Sequence, residues 1–261
     1  MPLSYSQLKS YATCPRQFEY AFVKKLKTPL TPESCFGVSV HTTLSKWGKL
    51  EQASSGKRKA GSDQTTLFSE DHVSTASCSQ LTASCLQGLW HSSFVIEGYP
   101  TRAAAEFDRA RGERLMESFY VWWQKEPRNV VAVEKGFTAD TLTGRFDRIE
   151  ELPDGTLRII DFKSGSLRSQ EEVDRDLQIS IYCMAAKEAF GKEVRELLLL
   201  FFGEDACIEV KTTRGAGELG TAKKTIALLA ERIASKDYRP TPNREVCRNC
   251  PYRRICDVAA V

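Results

Sequence analysis

Gly144-Arg145-Phe146-Asp147-Arg148, then Pro153-Asp154-Gly155, then Ile159-Ile160-Asp161-Phe162-Lys163 is the stretch whose reading decides the fold. Proline presets its backbone angle and glycine accepts the left-handed position, so 153–155 reads as a tight turn between two strands. A three-residue loop pairs the strands at 143–151 and 156–163 so that Asp147 faces Asp161, Arg145 faces Lys163 and Phe146 faces Phe162. A two-residue loop would move Asp147 out of that opposition. Facing side chains have Cβ atoms about 4.5–5.5 Å apart, and like charges there repel. Asp161 and Lys163 share a face because strand side chains alternate. Two carboxylates and one ammonium therefore converge inside a strongly apolar strand, where charge is costly unless it is paired or metal-bound. Mg²⁺ or Mn²⁺, which take oxygen ligands and keep waters for chemistry, suit such a patch.

Outward from the hairpin, Val130, Val131 and Val133 open a strand from 129 that leads to Glu134 and Phe137. Strands are expected at 194–202 and 206–213, and helices at 4–27, 33–50, 80–94, 102–125, 171–190 and 217–236, from apolar periodicity. Pro15 marks a break in the first helix, and Gly191 ends the fifth. In 102–125, Phe107, Leu115, Phe119 and Trp122 are expected on one side. The stretch 51–79 is rich in Ser, Thr, Gly, Lys and Gln and reads as a polar loop. The expectation is an α/β fold: a central mixed sheet flanked by helices. It is one domain over 1–261, with a helical insertion at 42–127, a sheet core at 128–213 and a cysteine-bearing tail at 237–261.

The chain of 261 residues is 41% hydrophobic and 27% charged, enough to bury a core. Its longest apolar run, Leu197 to Phe202, is far below the roughly 20 residues that span a bilayer. No signal-peptide pattern opens the chain, so a soluble cytoplasmic protein without membrane contact is expected. The net charge of +3 is unevenly spread: residues 1–30 carry +4 and residues 220–261 carry +5, around an acidic middle. Basic ends suit a polyanion or a solvated face equally well.

The hairpin motifs, followed by Gln178-Ile179-Ser180-Ile181-Tyr182, resemble the successive motifs of the PD-(D/E)XK nucleases, closest to the RecB-type branch. Cys35-Phe36-Gly37-Val38-Ser39-Val40-His41 resembles the histidine motif of that branch. Leu3 to Leu8, running on to Cys14-Pro15-Arg16-Gln17-Phe18, resembles nuclease domains at the C-terminal end of UvrD-type helicases. The likeness covers nearly everything outside about 51–127. It implies a restriction-endonuclease-like core in which Asp147 and Asp161 hold the catalytic metal with His41, the backbone carbonyl of Phe162 completes the ligands and Glu134 joins the site. It implies that Lys163 orients or deprotonates the attacking water and stabilises charge at phosphorus. Gln178 and Tyr182, four apart on a helix face, hold Lys163 or contact the DNA backbone.

Nine cysteines are too many to leave unexplained in a reducing compartment. Cys247-Arg248-Asn249-Cys250 with Cys256 supplies three closely spaced thiolates, one short of a four-ligand site for zinc or an iron–sulfur cluster. The resemblance selects Cys14 as the fourth ligand and a [4Fe–4S] cluster as the cofactor, clasping the two ends. Cys35, Cys78, Cys85, Cys183 and Cys207 read as packing residues. Gly215-Ala216-Gly217-Glu218-Leu219-Gly220 mimics a dinucleotide fingerprint, but too little chain follows to return a strand.

The expected function is Mg²⁺- or Mn²⁺-dependent DNA hydrolysis by an exonuclease in repair, recombination or end processing. The substrate is expected to be single-stranded DNA or DNA with free ends, supplied by a helicase, CRISPR or repair partner. Two other readings share the motifs: a CRISPR adaptation nuclease that trims prespacers, and a DNA-binding scaffold with a vestigial site. Basic termini would track phosphates. Phe119, Tyr120, Trp122 and Trp123 are candidates for base stacking, with core packing as the competing reading.

Overall fold

The computed structural model describes residues 2–59 and 81–260. The hairpin forms in the three-residue-loop register. Arg148 pairs with Ile160, Ile149 with Ile159, Glu150 with Arg158 and Glu151 with Leu157. The amide of Leu152 donates to the carbonyl of Thr156 at 2.8 Å, and Gly155 sits at φ 82°, the left-handed value that the turn requires.

Six strands make one sheet: β1 (Leu3–Ser4), β2 (Val130–Ala139), β3 (Leu142–Glu151), β4 (Leu157–Lys163), β5 (Val194–Phe202) and β6 (Cys207–Thr212). Their order is β1-β3-β4-β5-β6, with β2 on the other edge of β3. The β4–β5 pair is parallel and the β5–β6 pair antiparallel, so the sheet is mixed. β4 and β5 are buried on both faces, which is why Leu197 to Phe201 reads as a continuous apolar run.

Each face carries its own apolar layer. On one side Ile159, Leu197, Leu199 and Phe201 pack against α1 (Tyr5–Thr13), α7 (Leu177–Phe190) and α8 (Ala216–Ala234). On the other, Ile160, Phe162, Leu198 and Leu200 pack against α3 (Pro32–Lys59), α4 (Ala83–Ser93) and α5 (Arg102–Trp123). A fully buried Leu or Phe contributes about 1.5–3 kcal/mol, so these layers dominate the stability. α3 lies close to the sheet at Gly48, where an added Cβ would come within 2.8 Å of the Val133 side chain.

The helices differ from expectation in four places. The first splits into α1, α2 (Pro15–Phe18) and a π-helical turn at Glu19–Val23. Cys14 is extended at the break, as the residue before a proline prefers. The second, α3, runs on to Lys59, so 51–59 is helical rather than loop, and the rest of the polar stretch lies outside the described residues. Phe107 faces solvent at 70% exposure, whereas Leu115, Phe119 and Trp122 turn inward. The span 171–190 is two helices, α6 (Gln170–Asp174) and α7, because Asp176 caps a new start through the amide of Gln178 at 2.7 Å.

Phe119 and Trp122 are core residues, so base stacking does not fall to them. Trp123 donates its indole N–H to Glu51 at 2.6 Å and stacks on Tyr120. Gly215 caps α8, and its amide donates to Glu218 at 3.1 Å. No strand follows α8 among the described residues, so the glycine motif belongs to no βαβ unit.

Candidate active site

β2 occupies one edge of β3 along its whole length. The other edge pairs with β1 at Leu142 and Thr143 and with β4 only from Arg148 onward. Residues 144–147 of β3 therefore have no strand partner on that edge, and the sequence-predicted residues gather in this gap. Their backbone and side-chain groups bond instead to what lines it. The amide of Phe162 donates to Asp147 Oδ2 at 2.9 Å, and the hydroxyl of Tyr182 donates to the Arg145 carbonyl at 3.0 Å. In a strand the N–H and C=O of one residue point to the same neighbour, so the Phe162 carbonyl shares the edge that faces Asp147.

Glu134 joins this row from β2. The pairs Val133–Arg148 and Lys135–Phe146 bracket it against Asp147. Its φ of 49° is left-handed, a conformation that a non-glycine residue adopts at a cost. The regular alternation of faces slips at the same point: Phe146 and Ile149, three apart, pack in one layer. Strict alternation would set them on opposite faces. The slip puts Glu134, Asp147 and Asp161 on three adjacent strands at one place.

His41 approaches from α3, with Nδ1 3.5 Å from Asp147 Oδ2. His41, Glu134 and Asp147 each offer a ligand atom, all within 4.8 Å of one another. Burial works against the charged imidazole, but Asp147, Asp161 and Glu134 outweigh it and raise the His41 pKa. Burial raises the Glu134 pKa as well; Arg145 opposes the rise and Asp147 reinforces it. Arg145 reaches back across the strands, its Nε 2.5 Å from Glu134 Oε2.

Asp161 is 2% exposed and stands outside that trio. Burial pushes its carboxyl up to about 6, partly offset by Lys163 and reinforced by Asp147. Lys163 Nζ lies 2.5 Å from Asp161 Oδ2, yet that oxygen accepts no well-directed hydrogen bond. A buried carboxylate oxygen left this way fits a cation better than a protein donor. Lys163 Nζ also donates to Gln178 Oε1 at 3.0 Å, and Gln178 Nε2 donates to the Tyr182 hydroxyl at 2.8 Å. Gln178 and Tyr182 thus join Lys163 to the β3 backbone. Burial, then Asp161 and Asp147, raise the Tyr182 pKa and keep it a neutral donor.

Of the nine cysteines, Cys14, Cys247, Cys250 and Cys256 lie toward the meeting point of the chain ends. Tyr11 donates to the Asp237 carbonyl at 2.6 Å and Tyr252 to the Leu26 carbonyl at 3.1 Å. Burial raises the Cys250 pKa, a backbone N–H from Tyr252 opposes it, and the Cys14, Cys256 and Cys247 thiols reinforce it. Burial opposes the thiolate of Cys14, but N–H donors from Thr241, Gln17 and Arg16 more than offset it and lower its pKa. No three of these sulfurs lie within 4.8 Å of one another among the described residues. Cys35 and Cys183 are buried thiols and Cys207 is half-buried, as packing residues are. Cys85 departs from that expectation in being disulfide-bonded, and Cys78 lies outside the described residues.

The family model for the PD-(D/E)XK nuclease superfamily matches residues 2–257. The chain belongs to that superfamily, and its mixed sheet between helical layers is the restriction-endonuclease-like fold. No curated protein matches. Among solved structures, one described as "Crystal structure of SSO0001" is similar over 85% of this chain and 86% of its own, at 13% identity and a TM-score of 0.34. Among the described residues no helix is long and apolar enough to cross a membrane.

Proposed function

We propose that this protein is a RecB-type nuclease that hydrolyses DNA phosphodiester bonds with Mg²⁺ or Mn²⁺, working from DNA ends in repair, recombination or end processing. One observation carries the reading. Three carboxylates, an imidazole and an ammonium converge where β3 parts from β4, and one buried carboxylate oxygen there, Asp161 Oδ2, accepts no hydrogen bond.

The donor set suits a hard divalent ion: Asp147, Asp161 and Glu134 oxygens, the His41 imidazole and the Phe162 carbonyl. Such an ion supplies Lewis acidity toward the phosphate and toward water. The chain's own groups do the rest. Lys163, held between Asp161 and Gln178, donates hydrogen bonds to the attacking water or to a non-bridging phosphate oxygen, where negative charge develops. Gln178 and Tyr182 fix its direction. Asp147 holds the His41 ring and the Phe162 amide, so hairpin and helix share one geometry.

Cys14, Cys247, Cys250 and Cys256 are proposed to hold a [4Fe–4S] cluster. The support is that the Cys14, Cys256 and Cys247 thiols all act on Cys250.

Digestion of end-labelled single- and double-stranded DNA with Mg²⁺ or Mn²⁺ tests the reading, with Asp161→Ala as control. Progressive shortening by the wild type and none by the variant is expected. Binding without cleavage would overturn it in favour of a scaffold role. Trimming confined to prespacer-like ends would move it to the CRISPR adaptation class.

A further inference from the structure

Arg145 stands out at the mouth of the gap. Its side chain is 66% exposed, although it belongs to the strand that carries Asp147. Its one ion pair among the described residues is through Nε to Glu134. Its own carbonyl is fixed by Tyr182, the residue that steadies Gln178 and through it Lys163. Tyr182 thus fixes the Arg145 backbone and Glu134 pairs with its Nε, while its two Nη groups make no hydrogen bond among the described residues.

A guanidinium held through Nε presents a planar fork of N–H donors, the geometry that matches a phosphate. If Arg145 served only to neutralise Glu134, a buried or well-packed contact would do so more effectively than an exposed one. Arg145 lies two residues from Asp147 along β3, and the Glu134 that it pairs with clusters with Asp147 and His41. A nucleic acid backbone crossing the gap with its scissile phosphate at Asp147 and Lys163 would bring a neighbouring phosphate to Arg145.

We propose that Arg145 is a substrate-binding residue that grips a phosphate next to the scissile bond, with Glu134 as its positioning residue. This rests on the nuclease reading above. The chemistry recognised is a backbone phosphate rather than a base, so the contact is independent of sequence.

The experiment compares wild type, Arg145→Ala, Arg145→Lys and Glu134→Gln on one fluorescent single-stranded oligonucleotide. KM and kcat are measured with Mn²⁺, and Kd at several salt concentrations with Ca²⁺. Arg145→Ala is expected to raise KM and Kd about tenfold, as loss of one charge-assisted hydrogen-bonded contact does, with the smaller effect on kcat. The slope of log Kd against log salt should fall by about 0.7, the value for one single-strand phosphate contact. Arg145→Lys should recover the slope but only part of the KM, because it keeps the charge and loses the fork. Glu134→Gln, which also removes a proposed metal-ligand oxygen, should lower kcat and weaken Mn²⁺ activation, and should raise KM less than Arg145→Ala does. An unchanged KM and slope in Arg145→Ala would overturn the inference. So would a shift confined to the Mn²⁺ activation constant, which would make Arg145 a counter-ion of Glu134 and nothing more. The wild-type arm reads the nuclease assignment separately: no cleavage there sinks that reading and this one together, whereas cleavage with an indifferent Arg145→Ala sinks only this one.

Discussion

Glu51 on α3 and Arg148 on β3 form a buried bidentate ion pair that ties the helix carrying His41 to the strand carrying Asp147. Both Arg148 Nη groups reach Glu51, and its Nε donates to Glu150 at 2.7 Å; Arg148 is 1% exposed and Glu51 5%. Removing one partner strands the other charge in the interior, which costs about 3–5 kcal/mol. Glu51→Ala is therefore expected to lower the thermal unfolding midpoint by several degrees and to weaken Mn²⁺ activation, because α3 no longer holds His41 against Asp147. Replacing both partners by apolar residues, Glu51→Leu with Arg148→Met, should recover much of the stability, since Glu150 keeps Arg128 and Arg158. A double variant as unstable as the single one would count against this account.

Asp161 makes the metal-free protein pH-sensitive in a definite direction. Its carboxyl titrates near 6 when folded, against about 3.9 in an unfolded chain. Between those values the folded chain keeps a proton that the unfolded chain has lost. Stability therefore falls as pH rises from about 4 to about 6 and stays lower above it. His41 contributes with the same sign, because its raised pKa gives stability that is lost as pH rises through it. Thermal melts in EDTA should show a lower midpoint at pH 7 than at pH 5. Asp161→Asn should flatten that dependence and melt higher than wild type at pH 7, by an amount of order 2–3 kcal/mol, while losing cleavage. A variant that melts lower than wild type at pH 7 would refute the assignment of strain to this carboxylate.

Gln178 and Tyr182 are joined to Lys163 in one hydrogen-bonded chain, and on the proposed mechanism their effects should not add. Lys163→Ala removes a donor aimed at the developing charge and is expected to cost about 10²–10³ in kcat or more. Tyr182→Phe deletes the hydroxyl that Gln178 Nε2 meets at 2.8 Å and should lower kcat about tenfold with little change in KM. The double variant Gln178→Ala with Tyr182→Phe should be no slower than Gln178→Ala alone, because the pathway is already cut. Multiplying penalties in single-turnover rates would instead give the two residues separate roles, such as a direct contact with the DNA backbone.

The hairpin was legible because its turn chemistry is local: Pro153, Asp154 and Gly155 set the loop length, and the loop length sets every pair above it. The gap beside residues 144–147 was not legible. It depends on β1, a two-residue strand from the far N-terminus, taking the place of β4 at the start of β3. No propensity marks a two-residue strand. The left-handed Glu134 was hidden for a related reason, since nothing in Val133-Glu134-Lys135 distinguishes an irregular strand from a regular one. The extent of α3 was underestimated because 51–59 is polar, and a polar stretch reads as loop until a partner such as Arg148 is known to bury its first carboxylate. The sequence put Lys163 on the hairpin and Gln178 and Tyr182 on one helix face, but that the three form one hydrogen-bonded chain needed the distances.

Protein contacts of their own join the two ends of the chain, and the cluster proposal is testable beside them. Tyr11 and Tyr252 each bond to backbone 226 residues away, and the Tyr20 and Tyr252 rings meet edge to face at 5.5 Å. A cluster on Cys14, Cys247, Cys250 and Cys256 would add to this contact. Anaerobically purified protein is expected to be brown, with about four irons and visible charge-transfer absorption. Cys14→Ser should lose iron and colour and expose 237–261 to protease. The sheet core should still unfold cooperatively, because none of the four thiols belongs to β2–β5. Colourless protein carrying one zinc and resisting protease would overturn the cluster. So would a Cys14→Ser variant that keeps its full iron content, because the fourth ligand would then lie elsewhere.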